Sequence, residues 1–225
     1  MKANIAVIGL GRFGLDLVES LSKKDIEVMA IDVNEQAVEK ALVFTPYAYI
    51  CDSTDEEALK EVGISNVDKV IIAAGQSDRL TLASTIMTII KVKHLGVKSI
   101  IVRIDDESYQ ETMMLVGATQ AVSPLKIASE TMATKITSDN IVDYFNISDD
   151  FCAYELELPE NFKTLPIVDL STHCKYKMNI LVIYRNGNPI IPTHKDTLIE
   201  KDHIYVFGRR AEMEKIANFF RRYLM

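Results

Sequence analysis

The sequence predicts an α/β fold in which a Rossmann-like, doubly wound parallel sheet is followed by a long helix and a second, small α+β domain. Two observations predict the sheet. Short β-branched and apolar runs alternate with helical patterns as far as Val122, and a G-x-G-x-x-G motif follows the first run. Because helical crossovers return each strand in the same direction, such strands pair in parallel. A change to alternating periodicity after Asp150 predicts the second domain.

Six strands are predicted in the first domain, and their runs show little alternation, as expected where helices cover both faces of a sheet. They are Ile5–Ile8, Glu27–Ile31, Ala48–Cys51, Val70–Ala74, Ile100–Ile104 and Gln120–Val122. Five helices are predicted between them, over Phe13–Ser22, Glu35–Leu42, Asp55–Val62, Leu80–His94 and Glu107–Val116. The helix signals agree, since Asn34 and a capping box over Thr54–Glu57 stand at two starts, and Gly63, Gly96 and Gly117 stand at three ends.

The remaining chain divides at a polar stretch. Ser123–Pro124 starts a helical pattern that is predicted to end near Tyr144–Phe145, and Asn146–Asp150 is the predicted boundary. The predicted domains are residues 1–123, a helical linker over 124–148, and residues 149–225. The last domain is predicted to hold strands over residues 152–159, 180–184 and 204–207, a turn over 185–188, a short edge strand over 189–192 and a helix over 211–223.

Bulk composition narrows the class of protein. The 225 residues carry a formal net charge of −7, which disfavours nucleic acid as a partner. Apolar runs stay well short of the roughly 20 residues of a membrane span, and the first strand begins too early for a signal peptide. The cysteines Cys51, Cys152 and Cys174 are distant from one another and form no C-x-x-C pair. This usage is typical of buried thiols in a reducing cytosol.

The glycine motif predicts a nucleotide site. Gly9, Gly11 and Gly14 follow a strand and start a helix, which is the context that makes this motif specific. Gly9 permits the tight turn, Gly11 lets backbone approach a pyrophosphate, and Gly14 permits close packing of helix on strand. The positive end of the helix that starts at Phe13 attracts phosphates.

Further polar residues are predicted at the same edge of the sheet. Asp32 ends the second strand, where a carboxylate receives ribose hydroxyls and repels a 2′-phosphate, so NADP is disfavoured and NAD, ADP and ATP stay open. Asp52 ends the third strand, either near the adenine or as a local cap. The candidate set is completed by Phe13, Asn34, Ser53, Ala74 and Gly75.

Two arginines bear on which nucleotide binds. Arg12 lies inside the glycine motif, and a guanidinium added to a helix N-terminus suits an extra phosphate, although a solvent-facing role stays open. Arg103, on the fifth strand beside Asp105–Asp106, is a candidate for a second cation at the cleft.

No catalytic constellation accompanies this site. The four histidines show no His-x-x-x-His spacing, and His173, His194 and His203 have no carboxylate or lysine partner evident from spacing. Neither a G-x-S-x-G elbow nor a P-loop is present. These absences favour a protein that binds and senses a nucleotide, and the alternatives are a small NAD-dependent oxidoreductase and a nucleotide-sensing DNA-binding protein. The oxidoreductase is less favoured because the sequence shows no acid–base groups for catalysis, and the DNA-binding protein is least favoured because the chain is acidic.

Several segments together resemble the RCK (regulator of potassium conductance) family, and within it the cytosolic subunits of Ktr- and Trk-type bacterial potassium uptake systems. They are IAVIGLGRFG, VMAIDVNE, ICDSTDEEALKEVGISNVDKVIIAAG, DNIVDYF and LPIVDLSTHCKYKMNILVIYRNG. The resemblance covers nearly the whole chain.

The resemblance implies a cytoplasmic, non-enzymatic regulator on the inner face of the membrane. Residues 1–123 would be a nucleotide-binding N-lobe, residues 124–148 a crossover helix that forms a homodimer, and residues 149–225 a C-lobe. Dimers would assemble into an octameric ring under a membrane-embedded potassium transporter. ATP or ADP, with NAD or NADH open, would bind Gly9, Gly11 and Gly14 through phosphates, Arg12 through the terminal phosphate, Asp32 through ribose and Asp52 beside adenine.

Two positions depart from the family pattern. Leu125 stands where close relatives often carry a Glu that helps bind a cation near the phosphates, so no metal site is expected there. His173–Lys177 (HCKYK) stands where relatives commonly have R-A-K-Y-G, in a segment where some members bind cyclic di-AMP. Cyclic di-AMP therefore stays a candidate ligand of the C-lobe.

Overall fold

The structure is a computed structural model, and it describes residues 3–75, 79–137, 141–148, 150–170 and 175–223. The chain forms two compact units, residues 1–126 and residues 127–225. The first contains β1 (Ala3–Ile8), α1 (Arg12–Ser22), β2 (Ile26–Asp32), α2 (Glu35–Ala41), β3 (Tyr47–Ile50), α3 (Glu56–Glu61), β4 (Lys69–Ile72), α4 (Arg79–His94), β5 (Ser99–Arg103), α5 (Gln110–Val116) and β6 (Gln120–Val122). Helix α6 (Pro124–Thr137) follows and runs across the division between the units.

The six strands of the first unit form one parallel sheet in the order β3-β2-β1-β4-β5-β6. The strand order reverses between β1 and β4, and ligands bind open α/β sheets at such a switch point. Two apolar clusters cover the two faces of this sheet. Val7 of β1 packs in a cluster with α1 and α2, whereas its neighbours Ala6 and Ile8 pack in a cluster with α3, α4 and α5. The predicted doubly wound fold is confirmed.

Local signals set the ends of these helices as the sequence predicts. Asn34 accepts a hydrogen bond from the backbone N–H of Gln36 at the start of α2. At the start of α3 the N-cap is Asp55 rather than Thr54, the first residue of the predicted capping box, and Asp55 accepts from Glu57 N–H. Gly63 and Gly96 adopt φ values of +84° and +86° after helices end, a region that glycine enters without strain.

The second unit contains β7 (Ile141–Asn146), β8 (Phe151–Glu157), β9 (Leu165–Pro166), β10 (Met178–Arg185), β11 (Asn188–Ile190), β12 (Thr197–Leu198), β13 (His203–Arg209) and α7 (Met213–Arg222). Five strands form an antiparallel sheet in the order β11-β10-β13-β8-β7, and β9 pairs with β12. Helix α7 buries Met213, Ile216, Ala217 and Phe220 in the core of this unit. The apolar face of the final helix therefore packs within its own domain, while Leu224 lies outside the described residues.

One element was wrongly predicted. Residues 141–145 were assigned to the long helix and Asn146 to the polar boundary, but residues 141–146 form β7, which pairs antiparallel with β8 from Ile141↔Leu156 to Asn146↔Cys152. The stretch after Asn146 therefore joins two paired strands of one sheet, and this sheet begins before the predicted boundary. The β-branched and aromatic residues of IVDYFN favour a strand, and pairing with β8 outweighs the helical pattern that precedes them. The division into two lobes and a dimerisation linker stays a prediction.

Candidate nucleotide site

The glycine motif connects β1 to α1 at the switch point of the sheet. Gly9 has φ +93° and donates its N–H to the carbonyl of Ile31 at 2.8 Å. A Cβ on Gly9 would lie 2.8 Å from the backbone nitrogen of Ala74. A Cβ on Gly14 would overlap the carbonyl oxygen of Gly9. Side chains at both positions are thus excluded by close approaches that bring α1 against the ends of β1 and β4.

Gly11 differs from these two because nothing lies within 4 Å of the position that its Cβ would occupy. It is the exposed N-cap of α1, and within the described part of the chain no side-chain hydrogen bond caps this position. Open space in front of uncapped N–H groups at the positive end of an 11-residue helix fits a phosphate group. The residues present therefore suit the diphosphate of a nucleotide.

Asp32 joins this loop to the end of β2. Its Oδ2 accepts a hydrogen bond from Leu10 N–H at 2.5 Å, and its Oδ1 accepts from Asn34 N–H at 2.8 Å. The carboxylate therefore holds the glycine loop as well as facing the site. Each carboxylate oxygen has two acceptor positions, so these bonds leave capacity for ribose hydroxyls. The contact with Leu10 was not predicted, because no sequence signal marks a backbone donor.

The predicted adenine side of the site is held by one set of local hydrogen bonds and one bond to α4. Asp52 is exposed, and its Oδ1 accepts from the N–H and the hydroxyl of Thr54 at 2.8 and 2.7 Å. These bonds lower the pKa of Asp52 below its ordinary value. Ser53 shares a hydrogen bond of 2.8 Å between its Oγ and Oγ1 of Thr88 on α4. Asp52 thus has the local capping role that the sequence left open, and it remains ionised.

Arg103 lies beside the glycine loop, as the sequence predicted for a second cation. Its Cζ is 5.4 Å from the ring centroid of Phe13, which is the second residue of α1. Its Nε and Nη2 lie 2.9 and 2.7 Å from Oδ1 of Asp105. A Cβ on Gly75 would lie 3.1 Å from Oδ2 of Asp105, so Gly75 packs against this pair. Asp105 was not assigned to the site from the sequence, although its position at the end of β5 was a signal.

Arg12 is exposed at the first position of α1, and within the described ranges it makes no ion pair.

The candidate residues lie together at one edge of the sheet. The loop residues, Asp32 and Asn34 lie at the ends of β1 and β2, Asp52 and Ser53 follow β3, and Ala74, Gly75 and Arg103 lie at the ends of β4 and β5.

Among the residues that the structure describes, no group of three or more His, Cys, Asp or Glu is arranged to hold a metal ion. In that same part of the chain, none of the helices combines the length and apolar character that crossing a membrane requires. Cys51 and Cys152 are buried, and burial raises the pKa of both thiols. Cys174 lies outside the described residues.

His203 has a carboxylate partner that its spacing in the sequence does not indicate. Nδ1 of His203 lies 2.8 Å from Oε1 of Glu155, and the hydroxyl of Tyr205 donates to Oε2 of the same carboxylate at 2.8 Å. This hydrogen bond raises the pKa of Tyr205 to about 12. The sequence spacing of His203 did not reveal this carboxylate partner, because the pairing of β8 with β13 joins residues that are distant in sequence.

The second unit contains a cavity of about 940 Å³ near the segment that the family resemblance associates with cyclic di-AMP. Its polar and basic lining includes Lys175, Tyr176, Lys177, Asn179, His194 and Arg209. Phe151 and Phe207, whose rings stack at 5.4 Å between centroids, line it as well. His173 and Cys174 of that segment lie outside the described residues.

Two family descriptions match the chain: the TrkA-N domain over residues 5–124 and the TrkA-C domain over residues 155–221. The chain is 32% identical over 216 residues to Ktr system potassium uptake protein C of Bacillus subtilis (strain 168), and the alignment covers 96% of each chain. It is 29% identical over 214 residues to Ktr system potassium uptake protein A of the same organism, with 95% of each chain covered.

Solved structures of GsuK share the fold. The GsuK RCK domain aligns with 98% of this chain and 48% of its own length, at a TM-score of 0.62 and 15% identity. The GsuK channel bound to NAD aligns with 98% of this chain and 39% of its own length, at a TM-score of 0.62 and 16% identity. This chain thus spans less than half the length of either GsuK chain, and at these identities the likeness shows the fold alone.

Proposed function

The chain belongs to the family of TrkA-N and TrkA-C proteins that includes the Ktr potassium uptake proteins, and from this membership we propose that it is a cytosolic nucleotide-binding subunit that gates a membrane-embedded potassium transporter. The single observation that carries the proposal is the similarity to Ktr system potassium uptake protein C over 96% of both chains. Similarity that includes both domains favours a shared role in potassium uptake over a shared fold only.

We infer the ligand of the first unit from the chemistry of its site. The N–H groups at the start of α1 hold the phosphates, and Gly11 leaves them room. Asp32 receives the ribose hydroxyls, and Asp52 and Ser53, after β3, lie beside the adenine. Arg12 and Arg103 supply positive charge for the terminal phosphates, which favours ATP and ADP, with NAD or NADH as the second ligand class.

The nucleotide controls the transporter through a difference in affinity. A ligand shifts an equilibrium between two conformations only if it binds one of them more tightly. A terminal phosphate that reaches Arg12 gives ATP a contact that ADP lacks. ATP and ADP thereby stabilise different shapes of the assembly under the membrane subunit.

The assembly proposed is a homodimer, formed through α6, that builds an octameric ring on the inner face of the membrane. Helix α6 exposes Leu125, Ile127, Met132 and Ile136, with exposed fractions between 57% and 72%. Apolar side chains on an exposed helix favour association. The membrane association of the subunit is then indirect, through the transporter.

A regulatory role is favoured over an oxidoreductase. The relatives described above are named as potassium uptake proteins. An oxidoreductase needs an acid or base near the nicotinamide, and the His203–Glu155 pair belongs to the second unit. The same Rossmann-like fold hosts both kinds of protein, so turnover of NADH is the direct discriminator.

We further propose that the cavity of the second unit binds cyclic di-AMP. Its lysines, His194 and Arg209 suit the two phosphates, and its aromatic side chains suit the adenines. The volume of about 940 Å³ lies within the range that small-molecule sites occupy.

The test is a potassium flux assay with a Ktr-type membrane subunit in proteoliposomes. Adding the chain with ATP and then with ADP is expected to give two different fluxes. Calorimetry with ATP, ADP, NADH and cyclic di-AMP identifies the ligand of each unit. Flux that does not respond to the chain under any nucleotide would contradict the gating role, and turnover of NADH would favour the oxidoreductase.

A further inference from the structure

We propose that Asp105 determines the nucleotide specificity of the site by competing with the terminal phosphate of a bound nucleotide for the guanidinium of Arg103. This inference rests on the proposed function, since it requires a nucleotide phosphate at the glycine loop. It assigns a role to a carboxylate that neither the glycine motif nor the ribose carboxylate would identify.

The contact between Arg103 and Asp105 is short and partly buried. Both Nε and Nη2 of Arg103 reach Oδ1 of Asp105, at 2.9 and 2.7 Å. The two side chains are only 21% and 24% exposed. Reduced solvent screening makes such a pair stronger than one on the open surface. The charge of Arg103 is therefore already compensated in the nucleotide-free chain.

This pair lies directly beside the phosphate-binding loop. The guanidinium carbon of Arg103 is 5.4 Å from the centre of the Phe13 ring, and Phe13 lies in the first turn of α1, where the N–H groups are uncapped. On the other side, the Cβ position of Gly75 is 3.1 Å from Oδ2 of Asp105. The preceding residue, Ala74, contacts Gly9 of the loop. Phe13 and Gly75 thus lie on either side of the ion pair at the edge of the candidate site.

The geometry makes the carboxylate of Asp105 and a nucleotide phosphate compete for the same N–H donors of Arg103. A guanidinium binds either anion through adjacent N–H groups in a fork, and the fork that includes Nε is directed to Asp105. A phosphate that binds this fork has to displace Asp105 or share its donors. The carboxylate also repels the phosphate, and the repulsion increases as the phosphate chain extends toward it. Asp105 therefore lowers the affinity for ATP more than the affinity for AMP.

The experiment is calorimetric titration of the full chain with ATP, ADP, AMP and tripolyphosphate. Asp105→Asn is expected to increase the affinity for ATP roughly fivefold, which is the contribution of one partly screened ion pair. The affinity for AMP is expected to stay unchanged. The matched control is Asp106→Asn. Asp106 is exposed and accepts from Ser108 N–H at 2.8 Å, a bond that Asn also accepts, and the change removes the same charge one residue away. This control is expected to leave the ATP-to-AMP ratio unchanged.

A second pair of variants tests whether the effect acts through Arg103. In an Arg103→Gln background, Asp105→Asn is expected to lose at least half of its effect on the ATP-to-AMP ratio. Weaker or unchanged ATP binding in Asp105→Asn overturns the competition, and so does an equal effect in both backgrounds. Asp105→Ala replaces Asp105→Asn if thermal unfolding shows that the latter destabilises the fold.

Tripolyphosphate separates failure of this inference from failure of the proposed function. If the unmodified chain binds no nucleotide but binds tripolyphosphate, the nucleotide assignment is wrong, and the effect of Asp105→Asn on tripolyphosphate decides the competition. If the chain binds ATP and Asp105→Asn changes nothing, only the inference fails. If the chain binds neither probe, both are overturned.

Discussion

At the residue scale, the nucleotide site depends on close approaches that leave no room for a side chain and on one carboxylate with two roles. Gly9 and Gly14 permit α1 to reach the switch point of the sheet, whereas Gly11 leaves space for a ligand. Asp32 fixes the loop through Leu10 N–H, and in the proposed site it also receives the ribose. If it has both roles, a change at Asp32 alters loop geometry and ligand affinity together.

Replacing Asp32 with Asn is expected to weaken ATP and ADP binding by a similar factor, at least tenfold. The ribose is common to both ligands, and a hydrogen bond to a charged group contributes about 1.5–3 kcal/mol. Isothermal titration calorimetry measures both affinities, and Glu39→Gln, an exposed carboxyl on α2, is the control. Unchanged affinities would remove Asp32 from the site.

Replacing Arg12 with Ala is expected to reduce the preference for ATP over ADP and to change ADP binding little. The guanidinium is exposed and stands at the first position of α1, from which it can follow the phosphate chain. Arg12→Lys is the matched control, because it keeps the charge and loses the planar fork, and it is expected to retain part of the preference. An intact ATP-to-ADP ratio in Arg12→Ala would contradict the role.

The sequence identified the glycines, Asp32 and Arg103 as candidates because a motif or the end of a strand marks each of them. It did not predict the ion pair of Arg103 with Asp105 or the contact of His203 with Glu155. The first depends on rotamers at the end of β5, and the second joins residues 48 positions apart through strand pairing. Such contacts are set by tertiary structure and leave no periodic signal.

At the element scale, a buried ion pair connects three strands of the second unit. Asp202, immediately before β13, is fully buried and accepts from Nε and Nη2 of Arg185 at 2.8 Å each. Nη2 also donates to the carbonyl of Thr197 on β12 at 2.7 Å, and Ile199 N–H donates to Asp202 at 3.0 Å. The hydrogen bonds to Asp202 raise the pKa of Arg185 above its ordinary value.

Replacing Asp202 with Ala is expected to lower the free energy of unfolding by about 3 kcal/mol, the lower end for breaking a buried pair, because Arg185 keeps 32% of its side chain exposed. Chemical denaturation measures the change. The control is Glu160→Gln, which removes an exposed pair with Lys201 and should leave the midpoint unchanged. Equal midpoints for the two variants would contradict a stabilising role of the buried pair.

Elements of the first unit follow their local signals closely, whereas the region after α6 does not. In the parallel sheet, glycines and helix caps follow several of the strands and helices, among them Gly9 after β1, Asn34 after β2 and Gly63 after α3, so helix and strand alternate clearly. Residues 141–146 follow a helical pattern directly, and only pairing with β8 identifies them as a strand. The short pair β9–β12 also depends on tertiary contacts, since two residues carry no period.

At the scale of the whole molecule, each unit has its own apolar core and its own candidate ligand site. The nucleotide site lies in the first, and the cavity of about 940 Å³ lies in the second. Two sites can regulate one assembly only if the assembly has states that each ligand binds with different affinity. A homodimer has such states if its interface can adopt two arrangements. The proposed gating therefore requires that the chain form this dimer.

Replacing Met132 with Glu is therefore expected to weaken the dimer at least tenfold. Met132 is 64% exposed on α6, so the charge costs the folded chain little, but desolvating a carboxylate in an apolar interface is unfavourable. Analytical ultracentrifugation across a concentration series measures the dissociation constant. Val43→Glu adds the same charge at an 80% exposed apolar position before β3 and is expected to leave the dimer intact. Equal dissociation constants for the two variants would place the interface elsewhere, and ATP and ADP would then have to act without α6.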